Sequence, residues 1–413
     1  MSILLKNIKT LVQVESEPRQ LVKGHDMQHL PCIENAFLLL DGDKIKSFGT
    51  MDELPTGLTA DTELDASGKT VFPSWCDSHT HLVYAGSRET EFADRIRGLS
   101  YEDIARRGGG ILNSVKKLRM ASEDELLEES LPRLQEIMLL GTGAVEIKSG
   151  YGLSLESELK MLRVIRKLKS LSPLAIKATF LGAHAVPQEY KDKEKYVLHL
   201  INEMIPAVAS EKLADYCDVF CERGYFTQEE SERILSAAVK HGLTPKVHAN
   251  QLSRSGGVQA GVHCKAISVD HLEYVYQEEI DVLLNSDTMP TLLPGAQWFL
   301  QLPCPPARKM MDAGLPLALA SDYNPGSSPS GNMNFMISLA CVQYKMTPEE
   351  AINAATINSA YAMGLSQTHG SIAVGKQANI FITKEIPNYA YLPYSFANTV
   401  IESIILNGKI IPN

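Results

Sequence analysis

The stretch "DSHTHLVYAGSR" (residues 77–88) contains two histidines, His79 and His81, that are separated by a single residue. It continues the segment "KTVFPSWC" (residues 69–76), which is rich in aromatic and β-branched residues, and Gly86 follows. This pattern predicts a β-strand that runs into a loop. In a strand, side chains at i and i+2 point to the same face. The two imidazoles are therefore directed at one point, as metal ligands are, although an isolated HxH is a weak signal.

The composition is typical of an ordinary globular protein. The chain has 413 residues, of which 44% are hydrophobic and 21% are charged, and its formal net charge is −10. This length allows a large barrel or two to three domains. Because the net charge is negative and the basic residues do not cluster in a stripe, we expect no nucleic-acid partner. A small anionic substrate stays possible, since one local arginine can outweigh the global charge.

The cysteines and the chain start bear on the cellular compartment. Seven scattered cysteines do not form a disulfide framework. The first residues, "MSILLKNIKTLVQ", lack the charged and apolar regions of a signal peptide. Apolar runs such as "AFLLL" and "PLALA" are too short to span a bilayer. We therefore expect a cytoplasmic protein without a membrane partner.

From about residue 70 onward, short apolar stretches alternate with amphipathic helical patterns. The eight strand-like stretches are "VFPSWCDS" (71–78), "AVEIKSG" (144–150), "AIKATFLGA" (175–183), "CDVFCE" (217–222), "TPKVHAN" (244–250), "AISVDHL" (266–272), "TMPTLLP" (288–294) and "LPLALASD" (315–322). Helical runs between them begin at Ser or Thr caps, and two of them end at Gly141 and Gly242. Repeated β and α segments imply a parallel sheet, and eight units fit a (β/α)8 TIM-like barrel. A doubly wound open sheet is the alternative.

The two ends of the chain have a different pattern. Residues 2–14 and 34–49 are predicted to form short strands, as are "ANIFITK" (378–384) and "TVIESIILNGKII" (399–411). We expect a small β-sandwich domain built from both termini. Its predicted limits are residues 1–70 plus 367–413, with the barrel at residues 71–366.

Polar residues recur where the predicted barrel strands end. In a barrel of this type, these carboxyl ends form the active-site face. The residues at this position are His79, His81, Lys148, His184, Glu222, His248, His271 and Asp322. A single histidine is more often a core or surface residue. Five of the chain's 11 histidines at one face, together with an aspartate, predict a metal site.

This order of residues resembles the amidohydrolase superfamily, with HxH after strand 1, histidines after strands 5 and 6, and aspartate after strand 8. The chain most resembles the amidohydrolases that open 4-imidazolone-5-propanoate with water, giving N-formimidoyl-L-glutamate in histidine degradation. The supporting motifs include "SHTHLVYAGSRETEF", "KSGYGL", "FLGAHAVP", "VHANQLSRSGG", "VDHLE" and "SDYNPGSS". The HTH motif alone is shared with many hydrolases, whereas the combination is far more specific.

The resemblance implies one Zn²⁺ or Fe³⁺ per subunit, held by His79, His81, His248 and Asp322. Asp322 would also transfer a proton from the attacking water to the leaving ring nitrogen. His271 would stabilise the oxyanion, and His184 would reach the ring or its carbonyl group. Strand 4 ends at Glu222 without the lysine of binuclear members, which favours one metal but leaves Glu222 open as a ligand of a second.

The resemblance also implies a set of substrate-binding residues. Arg88 offers a bidentate fork to the propionate group. The other members of the set are Tyr101, Tyr151, His184, Gln251, Asn324, the Gly326 backbone amide and Ser327. Some relatives have glutamate in place of Gln251, and a glutamine cannot act as a base.

Two other functions fit parts of the sequence. Another amidohydrolase, such as a cytosine or guanine deaminase or a different cyclic-amide hydrolase, would keep the metal and the fold but would not need Arg88. A non-catalytic scaffold would not need the ligand set, which is intact here. The resemblance further implies a homodimer acting on a small-molecule substrate.

Overall fold

Two β-sheets organise the chain, and the computed structural model describes residues 1–99, 109–396 and 398–412. The strands of the described residues are β1 Ser2–Val12, β2 Cys32–Asp41, β3 Lys44–Thr50, β4 Thr62–Asp65, β5 Lys69–Pro73, β6 Trp75–Thr80, β7 Thr142–Lys148, β8 Ala175–Ala183, β9 Tyr216–Cys221, β10 Thr244–Ala249, β11 Ser268–His271, β12 Met289–Leu292, β13 Ala318–Leu319, β14 Ile380–Glu385, β15 Ile401–Leu406 and β16 Lys409–Ile411.

The second sheet in chain order is a parallel barrel. Its eight strands follow the order β6 to β13, and every adjacent pair is parallel. The seam between the first and last strands is closed just beyond β13, where Thr80 bridges Tyr323. The Asp322 amide donates to the His79 carbonyl oxygen, and the His81 amide donates to the Tyr323 carbonyl oxygen, both at 2.9 Å. The predicted TIM-like barrel is confirmed, and each predicted stretch overlaps one of its strands.

Helices connect the barrel strands and cover the outside of the barrel. The α-helices of the described residues are α1 Glu89–Ile96, α2 Ile111–Met120, α3 Glu123–Leu139, α4 Leu155–Leu171, α5 Lys193–His199, α6 Ile205–Ser210, α7 Gln228–Lys240, α8 Gly257–His263, α9 Gln277–Leu284, α10 Pro294–Leu300, α11 Ala307–Asp312, α12 Met333–Gln343, α13 Pro348–Asn353, α14 Ser359–Ala362 and α15 Tyr391–Tyr394. Short 3-10 turns cover Gly24–Gln28 and Met51–Glu53, and π-helical turns cover Leu200–Met204 and Ala354–Asn358. None of the helices in these described ranges is long and apolar enough to cross a membrane.

The helix starts follow the capping signals in the sequence. Ser122 and Glu125 form a reciprocal capping box at the start of α3: Ser122 Oγ accepts from the Glu125 amide, and the Glu125 carboxylate accepts from the Ser122 amide. Thr227 and Glu230 do the same at α7. Such pairs satisfy backbone N–H groups that have no partner inside the helix.

The first sheet combines strands from both termini. Its order is β16-β15-β14-β5-β1-β2-β3, and β4 pairs in parallel with β1 beside β5. A mixed sheet from both ends of the chain is therefore confirmed. The exact division into residues 1–70 plus 367–413 and residues 71–366 stays a prediction, since β5 spans that boundary.

A buried aromatic group joins the two sheets where β5 passes into β6. Trp75 is fully buried, with its ring centroid 5.0 Å from that of Phe381 on β14. Its indole Nε1 donates to Asn334 Oδ1 at 3.2 Å, which satisfies the polar edge of the ring. Phe72 stacks on Phe381 with a centroid distance of 5.0 Å. These contacts fix the amino-terminal end of the barrel against the terminal sheet, opposite the active-site face.

Candidate active site

A cavity of about 540 Å³ opens at the carboxyl ends of the barrel strands. This volume suits a small-molecule ligand. Of the residues predicted for the site, those that line the cavity are His81, Arg88, Tyr151, His184, His248, Gln251, His271, Asp322, Asn324, Gly326 and Ser327. Tyr101 lies outside the described residues.

Four of the predicted ligands converge at the floor of this cavity. Donor nitrogens of His79, His81 and His248 lie within 4.8 Å of one another, and all three residues are buried. Asp322 Oδ1 lies 3.5 Å from Nε2 of His79 and 3.5 Å from Nε2 of His81. Nε2 of His248 is 3.3 Å from Nε2 of His81. The cluster therefore brings three nitrogens and one carboxylate oxygen to one point.

This donor set fits a metal ion. Ligands about 2.1 Å from a tetrahedral ion are about 3.4 Å apart, close to the distances seen here. His79 Nε2 is buried and has no hydrogen-bond partner among the described residues. Burial lowers the pKa of His79 and His81 well below the usual value and that of His248 to about 3. The imidazoles are therefore neutral, and their inward nitrogens carry lone pairs that a cation would bind.

Two buried aspartates orient the ligand histidines. Asp270 Oδ2 is 2.6 Å from His79 Nδ1, and Asp218 Oδ2 is 3.0 Å from His248 Nδ1. The Asp270 carboxylate thus holds a proton on the outer nitrogen of His79 and leaves Nε2 for the metal, while Asp218 lies at ion-pair distance from the outer nitrogen of His248. Lys148 donates to Asp218 Oδ2 at 2.8 Å inside the barrel. The sequence predicted Lys148 at a strand end. In the structure, its ammonium group holds the Asp218 carboxylate in place.

Sequence reasoning missed Asp218 and Asp270, although a signal was present. Asp270 immediately precedes His271 in "VDHLE", and Asp218 lies in "CDVFCE". A charged residue inside a buried apolar strand needs a partner. Strand alternation would have placed Asp218 on the same face as Glu222, four residues later. For the adjacent Asp270 and His271, both side chains face inward because the backbone of His271 is left-handed, with φ +87°.

His271 faces an unusual carboxylate that the sequence did not single out. His271 Nδ1 is 3.8 Å from Glu273 Oε1, and neither carboxylate oxygen of the buried Glu273 has a hydrogen-bond partner among the described residues. Burial lowers the pKa of His271, but the facing carboxylate outweighs this effect and keeps the pKa above its usual value. Burial also raises the pKa of Glu273. The pair can therefore hold a proton beside the metal cluster.

The two oxygens of Asp322 have different surroundings. Oδ1 faces the ligand histidines, whereas Oδ2 accepts a hydrogen bond from Ser327 Oγ at 3.1 Å. Burial raises the pKa of Asp322 to about 6. The Asn324 side chain accepts from the amides of Gly326 and Ser327 at 2.7 and 2.8 Å, which shapes the loop after β13. The hydroxyl group of Ser327 is thereby fixed against Asp322.

His184 and Tyr151 form one wall of the cavity. His184 Nδ1 is 3.0 Å from the Gly150 carbonyl oxygen, so it carries a proton that it donates there. The His184 ring lies 5.3 Å from the His81 ring and 5.6 Å from the Tyr151 ring. Burial lowers the pKa of His184 to about 4. A neutral imidazole with a free Nε2 acceptor therefore stands beside the metal cluster.

The Glu222 carboxylate is engaged in hydrogen bonds at the end of its own strand. Its carboxylate accepts from the amides of Arg223 at 2.7 Å and Leu252 at 2.9 Å, and also from the hydroxyl group of Ser253. These contacts hold the loop that carries Gln251, which lines the cavity. The alternative role of Glu222 as a second-metal ligand would require breaking these bonds.

Comparison with known proteins agrees with this geometry. The model of the amidohydrolase family matches residues 70–411, and the chain belongs to that family. Within it, the chain belongs with the imidazolonepropionases. It is 60% identical to the imidazolonepropionase of Christiangramia forsetii over 100% of both chains. It is also 42% identical to that of Geobacillus kaustophilus over 100% of this chain and 98% of the relative.

Solved structures share the fold at much lower identity. An adenosine deaminase from Xanthomonas campestris superposes with a TM-score of 0.74 at 14% identity, covering 99% of this chain and 92% of that one. Guanine deaminase from E. coli gives a TM-score of 0.73 at 13% identity, covering 100% and 99%. At these identities the likeness concerns the fold alone.

Proposed function

We propose that the chain opens the ring of 4-imidazolone-5-propanoate with water and releases N-formimidoyl-L-glutamate, a step of histidine degradation. The observation that carries this proposal is a single cavity that combines the four-donor cluster with Arg88, in a chain that is 60% identical to an imidazolonepropionase over its full length. In the reaction, water adds to the ring carbonyl carbon, the bond from that carbon to a ring nitrogen breaks, and the nitrogen takes a proton.

The cluster of His79, His81, His248 and Asp322 would hold the metal ion. A bound ion of this kind lowers the pKa of a water molecule and polarises a carbonyl group. Asp322 Oδ2, on the Ser327 side, accepts the proton of the attacking water and passes it to the leaving ring nitrogen. Oδ2 of Asp322 does not face the ligand histidines, so this oxygen is available to take a proton and return it.

His271 and His184 act on the carbonyl side of the ring. His271 donates a hydrogen bond to the carbonyl oxygen as negative charge builds there, an effect typically worth about 3–4 kcal/mol. Glu273 supports it by keeping a proton on the imidazole. His184 uses its Nδ1 proton for Gly150, so its Nε2 accepts a hydrogen bond from a ring N–H group.

Polar groups around the cavity hold the rest of the substrate. Arg88 binds the propionate carboxylate, Tyr151 packs on the ring, and Gln251 bonds its polar edge. Asn324, Gly326 and Ser327 contact oxygens of the substrate or product, and Tyr101 belongs to the same proposed set. A deaminase acting on a neutral base would have no use for Arg88, which argues against that alternative.

The metal content and the assembly belong to the same proposal. We expect one Zn²⁺ or Fe³⁺ per subunit, because histidine and carboxylate ligands suit either ion. Elemental analysis of the purified protein gives the identity and the stoichiometry. We also propose a cytoplasmic homodimer, and light scattering coupled to gel filtration tests the dimer directly.

The decisive experiment is turnover of freshly prepared 4-imidazolone-5-propanoate by the metal-replete protein, followed by loss of its ultraviolet absorbance. A chelator-stripped sample runs beside it, and a third sample receives metal again after stripping. Metal-dependent turnover would support both the proposed substrate and the proposed class of reaction. A protein that holds one metal and leaves this substrate intact would refute the substrate assignment.

A further inference from the structure

Helix α1 and its cap present three charged side chains to the cavity. Arg88 caps the helix, Glu91 lies in its first turn, and Arg95 lies one turn further. The spacing i, i+3, i+7 places all three on one helix face. All three line the cavity, and the proposed reaction so far uses only Arg88.

Arg88 is already partly neutralised. Its Nε and Nη2 donate to Glu91 Oε2 at 2.8 and 2.5 Å, and both side chains are largely buried. The remaining amino group, Nη1, lies against Gly326, where any side chain would collide with it. Arg88 therefore reaches the cavity with one donor group and with its charge balanced by Glu91.

Arg95 reaches the same glycine. Its Nη2 donates to the Gly326 carbonyl oxygen at 3.1 Å, and its guanidinium carbon lies 4.9 Å from the centroid of the Phe299 ring. Burial and the nearby positive charge of Arg88 both lower the pKa of Arg95. Two guanidinium groups thus share one side of the cavity with a single carboxylate, which leaves one positive charge without a counter-ion among these three.

The chemistry of the proposed substrate supplies that counter-ion. The substrate carries one carboxylate, which can pair with this charge. Ring opening by water creates a second carboxylate from the ring carbonyl, and the released proton goes to the leaving nitrogen, so the propionate keeps its charge throughout the reaction. We propose that Arg95 is a further substrate-binding residue, which joins Arg88 in a two-guanidinium clamp for the propionate carboxylate while Glu91 orients Arg88. This inference rests on the proposed function for the identity of the anion.

The clamp is tested by binding rather than by turnover. Glutaramate and glutaramide serve as probes, because they differ only in one terminal carboxylate against one terminal amide, and glutaramide has no carboxylate. Calorimetry on the metal-loaded protein should show glutaramate binding about tenfold or more tighter. In Arg95→Gln, the Kd of glutaramate should rise about tenfold, while that of glutaramide changes less than about threefold. Arg95→Lys, which keeps the charge, should recover part of the preference.

A matched control lies directly after the same helix. Arg97 follows α1, its side chain is 71% exposed, and it pairs with Asp94 rather than lining the cavity. Arg97→Gln makes the same change in net charge and should leave both Kd values unchanged. Thermal denaturation of each variant shows whether the fold is retained.

Several outcomes would overturn the clamp. Equal losses for both probes in Arg95→Gln would mean that Arg95 only secures the loop at Gly326. A wild-type protein that does not distinguish the two probes would also refute it. Turnover of the imidazolone is measured in parallel. An Arg95-dependent preference without turnover would support the clamp and refute the proposed function. Turnover with an unchanged KM in Arg95→Gln would support the proposed function and refute the clamp.

Discussion

At the scale of single residues, the site depends on how each polar atom is oriented. Asp322 has a left-handed backbone, with φ +53°, and so does His271, with φ +87°. Such conformations cost about 1–3 kcal/mol each for residues other than glycine. They turn the chain at the strand ends so that both side chains face the cavity. Packing in the surrounding barrel stabilises these two backbone conformations.

Replacement of Asp322 by asparagine tests its role in proton transfer. The amide keeps the shape of the side chain and an oxygen ligand, but it cannot accept the proton of water. We expect kcat to fall by about 10²–10⁴-fold with the metal content retained. Steady-state kinetics and elemental analysis on the same preparation check both points. Activity close to that of the wild type would remove Asp322 from proton transfer.

Glu273 is expected to act through His271. Because its negative charge raises the pKa of His271, Glu273→Gln should lower that pKa. His271 would then lose its proton at a lower pH, and kcat should fall while KM changes little. NMR titration of the imidazole and the pH profile of kcat measure the two effects. Glu273→Asp should restore part of the rate, and an unshifted His271 titration in Glu273→Gln would contradict the pairing.

At the scale of elements, the loops after the strands are held by buried carboxylates. Glu158 on α4 accepts hydrogen bonds from the amides of Gly150, Gly152 and Leu153, at 3.1, 2.8 and 2.8 Å. These bonds shape the loop that carries Tyr151. Glu222 does the same for the loop of Gln251. Loop position in this site therefore depends on helix and strand residues outside the cavity.

Glu158→Ala should leave three buried amides without a partner. We expect the free energy of unfolding to fall by about 3–5 kcal/mol, with a smaller loss for Glu158→Gln, whose amide oxygen still accepts. Denaturant unfolding measures both values. Glu156 lies in the same turn of α4, and Glu156→Ala serves as the control. Equal stability of Glu158→Ala and wild type would show that the loop holds its own shape.

Gln251→Glu examines whether the loop after β10 can bind metal. A carboxylate here would line the cavity, whereas the clustered ligand nitrogens belong to His79, His81 and His248. We expect one equivalent of metal in both proteins, as measured by elemental analysis. A second equivalent in the variant would show that this side of the cavity is a latent metal site.

At the scale of the whole molecule, the metal cluster spans the seam that closes the barrel. His79 lies on β6 and His81 directly follows it, while Asp322 follows β13, and backbone hydrogen bonds join these segments directly. Asp77 strengthens the seam by accepting from the Ser321 amide at 2.9 Å. A bound ion would link the first and last strands a second time.

Metal removal should therefore destabilise the folded chain. A ligand that binds only the native state adds about 4 kcal/mol when its free concentration is about 1,000 times Kd. We expect a lower Tm after chelation and recovery on adding Zn²⁺, as measured by calorimetry. Asp322→Ala should reduce this metal-dependent gain. An identical Tm with and without metal would show that the cluster is rigid without an ion.

Much of the fold could be predicted because its signals are local. The alternation of apolar strands with capped helices, such as the Ser122 and Thr227 starts, predicted the barrel. Its strand ends then predicted the positions of His79, His81, His248 and Asp322. By contrast, the hydrogen bonds that Glu158 accepts from the amides of Gly150, Gly152 and Leu153 depend on the burial of its side chain, which the helical pattern did not predict.

The sequence by itself determined the barrel, the terminal sheet and the residues at the carboxyl ends of the strands, because periodicity and capping act over a few residues. Only the tertiary structure decided which carboxylate meets which histidine. Asp270 faces His79 although 191 positions separate them, and Arg95 meets Gly326 across 231 positions. Such pairs form only when the closed barrel brings distant strand ends together, since burial then requires each polar group to find a partner.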